Sequence, residues 1–369
     1  MNNSYKEAMG RLQFSEEEKK RILRNLTLAH DGEQTKPASS VQPSPRATRG
    51  GKFPLRYAAA CAAALLLVVG IGGGAYASGT LIGVKTLIGD LFGGPPAQTQ
   101  VVDKIGRPIG ASASSNGVTI TADAIVGDRT NYAIVFTIAK DDGTAFEGIE
   151  ALENGLLPLG FSDSSGILVD GMNSANGSSF FYDADPADNA IQYVEKMSVS
   201  SGGDNIIGRT AHIELKDLNM FTDNGRHIIS EGTWRMKFEI DYEDTSVELA
   251  SGQEFDLNGM NATIDSASIS PIALTLEYTV LDTMSWNDQD SGKLSNNSQS
   301  QMDRFLSFPI AVNMKDGTTI ELNSSDGGGS TQTKGESTSC NKSIMFDTFM
   351  NIDAIASVTI NGTTISLLS

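Results

Sequence analysis

Asn116-Gly-Val-Thr-Ile-Thr-Ala-Asp123 sets a turn dipeptide against a run in which apolar and hydroxyl side chains alternate. Asn-Gly accepts the left-handed backbone that a two-residue hairpin needs, and alternation puts every second side chain on one strand face. The stretch predicts the head of an antiparallel sheet. A second copy follows 142 residues later, where Gly259-Met-Asn-Ala-Thr-Ile-Asp265 aligns with Gly117-Val-Thr-Ile-Thr-Ala-Asp123. Each leads to a strand, ending in Phe136-Thr-Ile138 and in Tyr278-Thr-Val280. A repeat of that length predicts two related β-sandwiches in tandem, Ig-like in class, over 101–248 and 249–369.

Outward from the repeat the same pattern continues. Trp234-Arg-Met-Lys-Phe-Glu-Ile240 and Ala273-Leu-Thr-Leu-Glu-Tyr-Thr-Val280 alternate as half-buried strands do. Tyr132-Ala-Ile-Val-Phe-Thr-Ile138 and His212-Ile-Glu-Leu215 read as further strands. Turn dipeptides recur at Asn224-Gly225, Asn258-Gly259, Asp316-Gly317 and Asn361-Gly362, the last inside a terminal hairpin. Residues 162–179, 285–300 and 324–339 are rich in Gly and Ser and are expected to be surface loops. The fold class expected is mainly β, with a short α-helical hairpin at the N-terminus and one transmembrane helix.

That helix is expected at 57–77, which holds 21 uncharged residues between Arg56 and Ser78. At about 1.5 Å per residue it spans about 31 Å, the thickness of a bilayer core. Charge divides around it. Eleven of the 27 Lys/Arg and six of the 45 Asp/Glu fall in residues 1–56, leaving +5 there and −23 in the remainder of a chain of net charge −18. Basic residues flank a membrane span on its cytoplasmic side, so the N-terminus is expected inside and the acidic body outside the cell membrane. The body's charge repels phosphates and excludes direct nucleic-acid binding. Ala75-Tyr-Ala77 fits a signal-peptidase site, but 56 residues precede the apolar run, far more than a signal peptide carries.

Residues 1–30 read as two short helices. Tyr5, Met9 and Leu12 share one face, and Ser15-Glu-Glu-Glu18 is a capping box before an apolar stripe of Ile22, Leu23 and Leu26. So short a segment buries too little surface to stand alone. It is expected to lay Leu12, Phe14, Ile22, Leu23 and Leu26 into the groove of a cytoplasmic partner, to rest as a basic amphipathic helix on anionic lipid, or to be a loosely ordered tail. A flexible basic Pro/Ser linker fills 31–56, and a juxtamembrane linker fills 78–100.

The head at Phe14-Ser-Glu-Glu-Glu-Lys19, the linker, the anchor, Ile109-Gly-Ala-Ser-Ala-Ser-Ser-Asn-Gly-Val-Thr-Ile-Thr-Ala-Asp123 and Tyr132-Ala-Ile-Val-Phe136 together resemble the domain-of-unknown-function family 4179. The likeness lies mainly in residues 50–140. It implies a single-pass protein of Gram-positive bacteria that acts like an anti-sigma factor, holding a cytoplasmic sigma factor. The family supplies no catalytic residues.

No catalytic constellation stands out, and the chain is expected not to be an enzyme and to need no cofactor or metal. His30, His212 and His227 lack metal spacing, and the acids at Asp183, Asp185, Asp188, Asp288 and Asp290 lack the glycine and glutamate of a calcium loop. Cys61 lies inside the apolar run and Cys340 near the C-terminus, so they are not expected to pair, and Cys340 is expected to be a free, partly buried, inert thiol. The regulatory reading therefore joins an extracytoplasmic sensing or binding body, of unknown ligand, to an inner contact. The alternatives are a structural envelope protein that binds cell-wall polymer or another surface protein, and a secreted module released after Ala77.

Overall fold

The computed structural model describes residue 92 and residues 104–172, 175–199, 205–285, 296–322 and 327–368. The head, the basic linker and the expected membrane segment, residues 1–77, lie outside the described residues, as do Leu12, Phe14, Ile22, Leu23 and Leu26. Among the described residues no helix is long and apolar enough to cross a membrane.

The body is mainly β. Its first part runs β1 (Gly106–Ser115), β2 (Val118–Gly127), β3 (Asn131–Lys140), β4 (Leu159–Gly160), β5 (Gly166–Val169), β6 (Ala175–Tyr182), β7 (Ala190–Val199), β8 (Thr210–Thr222) and β9 (Gly225–Glu239). One antiparallel sheet has the order β1-β2-β3-β7-β6. In the facing sheet β8 pairs with β9 along one edge and with β4 and β5 along the other. Inward positions of both sheets make one core, with Ile120, Ile134 and Phe136 from the first meeting Ile213, Leu215, Trp234 and Phe238 from the second. Trp234 ties the layers together, its indole Nε1 donating to the Val118 carbonyl at 2.8 Å. This core extends to Ile240 and Tyr242.

The second part runs β10 (Val247–Glu248), β11 (Glu254–Leu257), β12 (Met260–Ile269), β13 (Ala273–Val280), a helix α1 (Asn296–Leu306), β14 (Ile310–Met314), β15 (Thr319–Leu322), β16 (Gly328–Lys334), β17 (Ser337–Met345), β18 (Ile355–Ile360) and β19 (Thr363–Ser366). Its sheets are β10-β12-β13-β17-β16, with β11 also on β12, and β15-β14-β18-β19. Leu274, Leu276, Tyr278 and Val280 of β13 face a core shared with Val312, Val358 and Ile360. Phe305 of α1 plugs this core, and the Tyr278 hydroxyl donates to its carbonyl at 2.6 Å.

The two parts repeat each other in detail. Asn116 and Gly117 turn with φ of 48° and 79°, Asn258 and Gly259 with 53° and 81°. A bulge follows each turn, between Ala122 and Ala124 and between Ile264 and Ser266. Each bulged residue is an aspartate held by a threonine hydroxyl fourteen residues on, Thr137 to Asp123 at 2.6 Å and Thr279 to Asp265 at 2.7 Å. A bulge needs an extra residue whose side chain finds its own partner, and Asp–Thr pairs meet that need twice.

Three expectations of loops are corrected. Residues 162–179 contain β5 and the start of β6, residues 324–339 contain β16 and the start of β17, and residues 296–300 open α1. Strands at a sheet edge pair through the backbone, so Ser, Thr and Gly there still form ladders although they carry no apolar alternation.

Candidate functional site

β7 and β6 form one margin of the first sheet, and their inward side chains step away from the core. Phe181 pairs in register with Tyr193, Ser179 with Glu195 and Gly177 with Met197. Phe181 and Tyr193 are buried in an aromatic group with ring centroids 4.7 Å apart, and Phe161 meets Tyr193 edge-on at 5.1 Å. One step further out, where a sandwich would place apolar residues, stand Ser179, Gly177 and the carboxylate Glu195. The facing sheet offers Ser165, Gly166 and the core residue Leu215 there. The layers do not close, and a cavity of about 190 Å³ remains between them.

Glu195 is the carboxylate lining this cleft and is 7% exposed. The Tyr193 hydroxyl donates to its Oε2 at 2.7 Å. Burial pushes the Glu195 carboxyl above the usual carboxylate range, and the tyrosine bond offsets this only in part. Burial likewise raises the Tyr193 phenol, with the Glu195 charge adding to it. Ser165 is locked by its neighbours, since its Oγ accepts from the Lys216 amide at 2.8 Å. Gly177 is required by space, because a Cβ there would fall 2.1 Å from the Lys196 carbonyl oxygen and 2.3 Å from Met197 Sδ.

A second polar centre lies between the two parts. The β2–β3 connection of the first and the β12–β13 connection of the second meet, and positions 142 residues apart touch: Ser270 Oγ donates to Asp128 Oδ2 at 2.6 Å. Asp128 Oδ1 accepts from the Thr130 and Asn131 amides at 2.8 and 2.7 Å. Asn131 Nδ2 donates to both Asp128 oxygens at 3.0 Å and to Thr275 Oγ1 at 3.1 Å. Its Oδ1 accepts from Ser198 Oγ and Ser343 Oγ, each at 2.6 Å. Asp128 is buried, which raises its carboxyl, while Ser270 and the backbone amides pull it back. Arg129 pairs with Glu248 and, at 3.8 Å, with Asp244.

An apolar patch adjoins this network. Ala124, Val126 and Ala133 pack against Ile272, Ala273 and Phe349, and Phe92 completes the group. Phe92 stacks on Phe349 at 4.8 Å and lies under the Lys196 ammonium at 5.1 Å. Burial lowers the Lys196 pKa, and Asp347 4.0 Å away partly restores it.

The remaining polar candidates are structural. Among the described residues no three His, Cys, Asp or Glu side chains are grouped to hold a metal. His212 bonds Asp170 at 3.0 Å and His227 bonds Thr222 at 3.1 Å, both on exposed strand faces. Asp185 and Asp188 accept from the amides of Ala187 and Ala190 two residues on, capping their own turns. His30, Asp288 and Asp290 lie outside the described residues. Cys340 is a free, buried thiol that burial pushes up to about 12, beyond the range of a reactive thiolate.

Residues 52–140 match the model of the domain of unknown function DUF4179. No curated protein matches the chain. Among solved structures, the crystal structure of the conserved domain protein from Bacillus anthracis is similar at a TM-score of 0.42 and 11% identity, covering 72% of this chain and 79% of that one.

Proposed function

We propose that this chain, whose residues 52–140 carry the DUF4179 match, is a single-pass membrane protein that regulates a cytoplasmic partner from outside. Residues 57–77 cross the bilayer. Two Ig-like sandwiches lie beyond it and bind an extracytoplasmic ligand. The segment 1–30 engages the partner through Leu12, Phe14, Ile22, Leu23 and Leu26. By the family likeness that partner is a sigma factor, held in the manner of an anti-sigma factor.

One observation carries the reading: an uncharged run of bilayer length separates a +5 head from a −23 remainder. Positive flanks stay in the cytoplasm, which leaves the acidic remainder outside. The test has two arms in intact cells making the full chain with a C-terminal tag. Added protease should remove the tag without lysis, and cross-linked complexes should contain a sigma factor that is lost on Leu23→Asp and Leu26→Asp. A tag protected until the cells are broken would overturn the topology. Recovery of wall polymer without a cytoplasmic protein would favour a structural envelope role.

A further inference from the structure

The margin between β6, β7 and β5 departs from what holds a sandwich together. Burial of apolar side chains between the layers is the main favourable contribution to such a fold, and inward positions near an edge are normally filled. Here the inward positions lining the cleft carry Gly177, Ser179 and Glu195, and the opposing layer answers with Ser165, backbone at Gly166 and one apolar side chain, Leu215. Closing the gap with two or three aliphatic residues would stabilise the fold. Instead the cleft exposes hydroxyls and backbone around a carboxylate that is 7% exposed.

Glu195 also lacks a counter-charge. Its Oε2 accepts from Tyr193, and among the described residues no lysine, arginine or histidine forms an ion pair with it. The adjacent Lys196 points to the opposite sheet face, over Phe92 and towards Asp347. A buried carboxylate without a cation is costly in its charged form, and a cation entering from solvent removes that cost.

We propose that this cleft is a binding site for a small ligand bearing a single ammonium group, seated against the Glu195 carboxylate with Ser179 and Ser165 beside it. The chemistry selects the ligand in three ways. The charge of Glu195 excludes anions. Tyr193 holds one carboxylate oxygen, leaving the other to accept from the ligand. The volume of about 190 Å³ takes more than about a dozen heavy atoms at roughly 10–15 Å³ each, which fits a short alkylammonium chain or one amino-sugar ring but not a folded partner. The raised carboxyl of Glu195 agrees with this, since a group disfavoured as an anion alone gains most from a cation. The site holds whichever side of a membrane the body occupies, so it stands or falls apart from the proposed topology.

Calorimetric titration of the purified full chain in detergent micelles tests it, at a pH where both amines are protonated. The probes are n-butylamine and D-glucosamine, each beside its neutral counterpart, n-butanol and D-glucose. At least one ammonium probe should bind about tenfold or more tightly than its neutral counterpart, and Glu195→Gln should abolish that preference. Ser179→Leu, which fills the cleft from the position facing Glu195, should weaken binding of every probe, and it serves where Glu195→Gln fails to fold. Preference for butylammonium alone would mark a lysine-like side chain or free alkylamine as the source, and preference for glucosamine alone an amino sugar. Binding of no probe, equal binding of charged and neutral probes, or a preference that survives Glu195→Gln would overturn the assignment.

Discussion

Asp123 is fully buried, with one carboxylate oxygen bonded by Thr137 and the other without a partner. Burial pushes its pKa from 3.8 up to about 7. The folded chain therefore holds this proton more tightly than the unfolded chain does. Its contribution to stability is full below about pH 4 and is lost as pH rises through about 7, where a bare charge sits in the interior. Asp128 and Glu195 shift in the same direction, so the body is expected to weaken between mildly acid and neutral pH. Asp123→Asn keeps the shape and never ionises. It should be about 1–3 kcal/mol more favourable relative to the native chain at about pH 8 than at about pH 5, read from denaturant melts at both. Equal effects at the two pH values would mean that the carboxyl ionises in the folded chain as it does in the unfolded one. Asp265, its counterpart in the repeat, carries the same threonine bond on an exposed face.

Strands and turns separate two kinds of glycine. Gly117 has φ of 79° and open space around a would-be Cβ, so Gly117→Ala should cost about 1–2 kcal/mol through backbone conformation alone. Gly177 has ordinary backbone but lies against the Lys196 carbonyl, so Gly177→Ala should cost about 3 kcal/mol, at the upper end for overpacking, and should splay β6 from β7. Urea denaturation of both variants checks the order; a milder Gly177→Ala would show that the edge strand yields freely. At this scale the sequence was readable wherever chemistry is local. The five Asn-Gly and Asp-Gly pairs singled out as turns, of eleven in the chain, stand between paired strands, joining β1 to β2, β8 to β9, β11 to β12, β14 to β15 and β18 to β19, whereas Asn176-Gly177 lies inside β6. Edge elements were not readable, because β6 reads Ala-Asn-Gly-Ser-Ser-Phe-Phe-Tyr and its inner face opens on a cleft instead of a core. Glu195 had one local signal, an acid two residues after Tyr193 on the inward face of a strand. Its partners Ser165 and Ser179 are brought to it only by the fold.

Across the whole molecule, the 142-residue offset visible in the sequence became a contact, since the equivalent positions Asp128 and Ser270 face each other. Nothing local in either residue announces that meeting. Asn131 is the centre of it, bonding groups from both halves, so Asn131→Ala takes the side-chain amide from Asp128, which keeps Ser270 and two backbone amides, and removes the acceptor of the Ser198 and Ser343 hydroxyls. Each buried partner left unsatisfied costs about 1–3 kcal/mol, and the two cores should then melt apart. Scanning calorimetry should show one endotherm for the native chain and two for Asn131→Ala; a single unshifted peak would mean that Ile272, Phe349 and Phe92 suffice to bind the halves. The position of Phe92 has a mechanical corollary. The residue is wedged between Phe349 of the second half and Lys196 of the first. A tug on the polypeptide at Phe92 therefore loads the joint between the two halves itself.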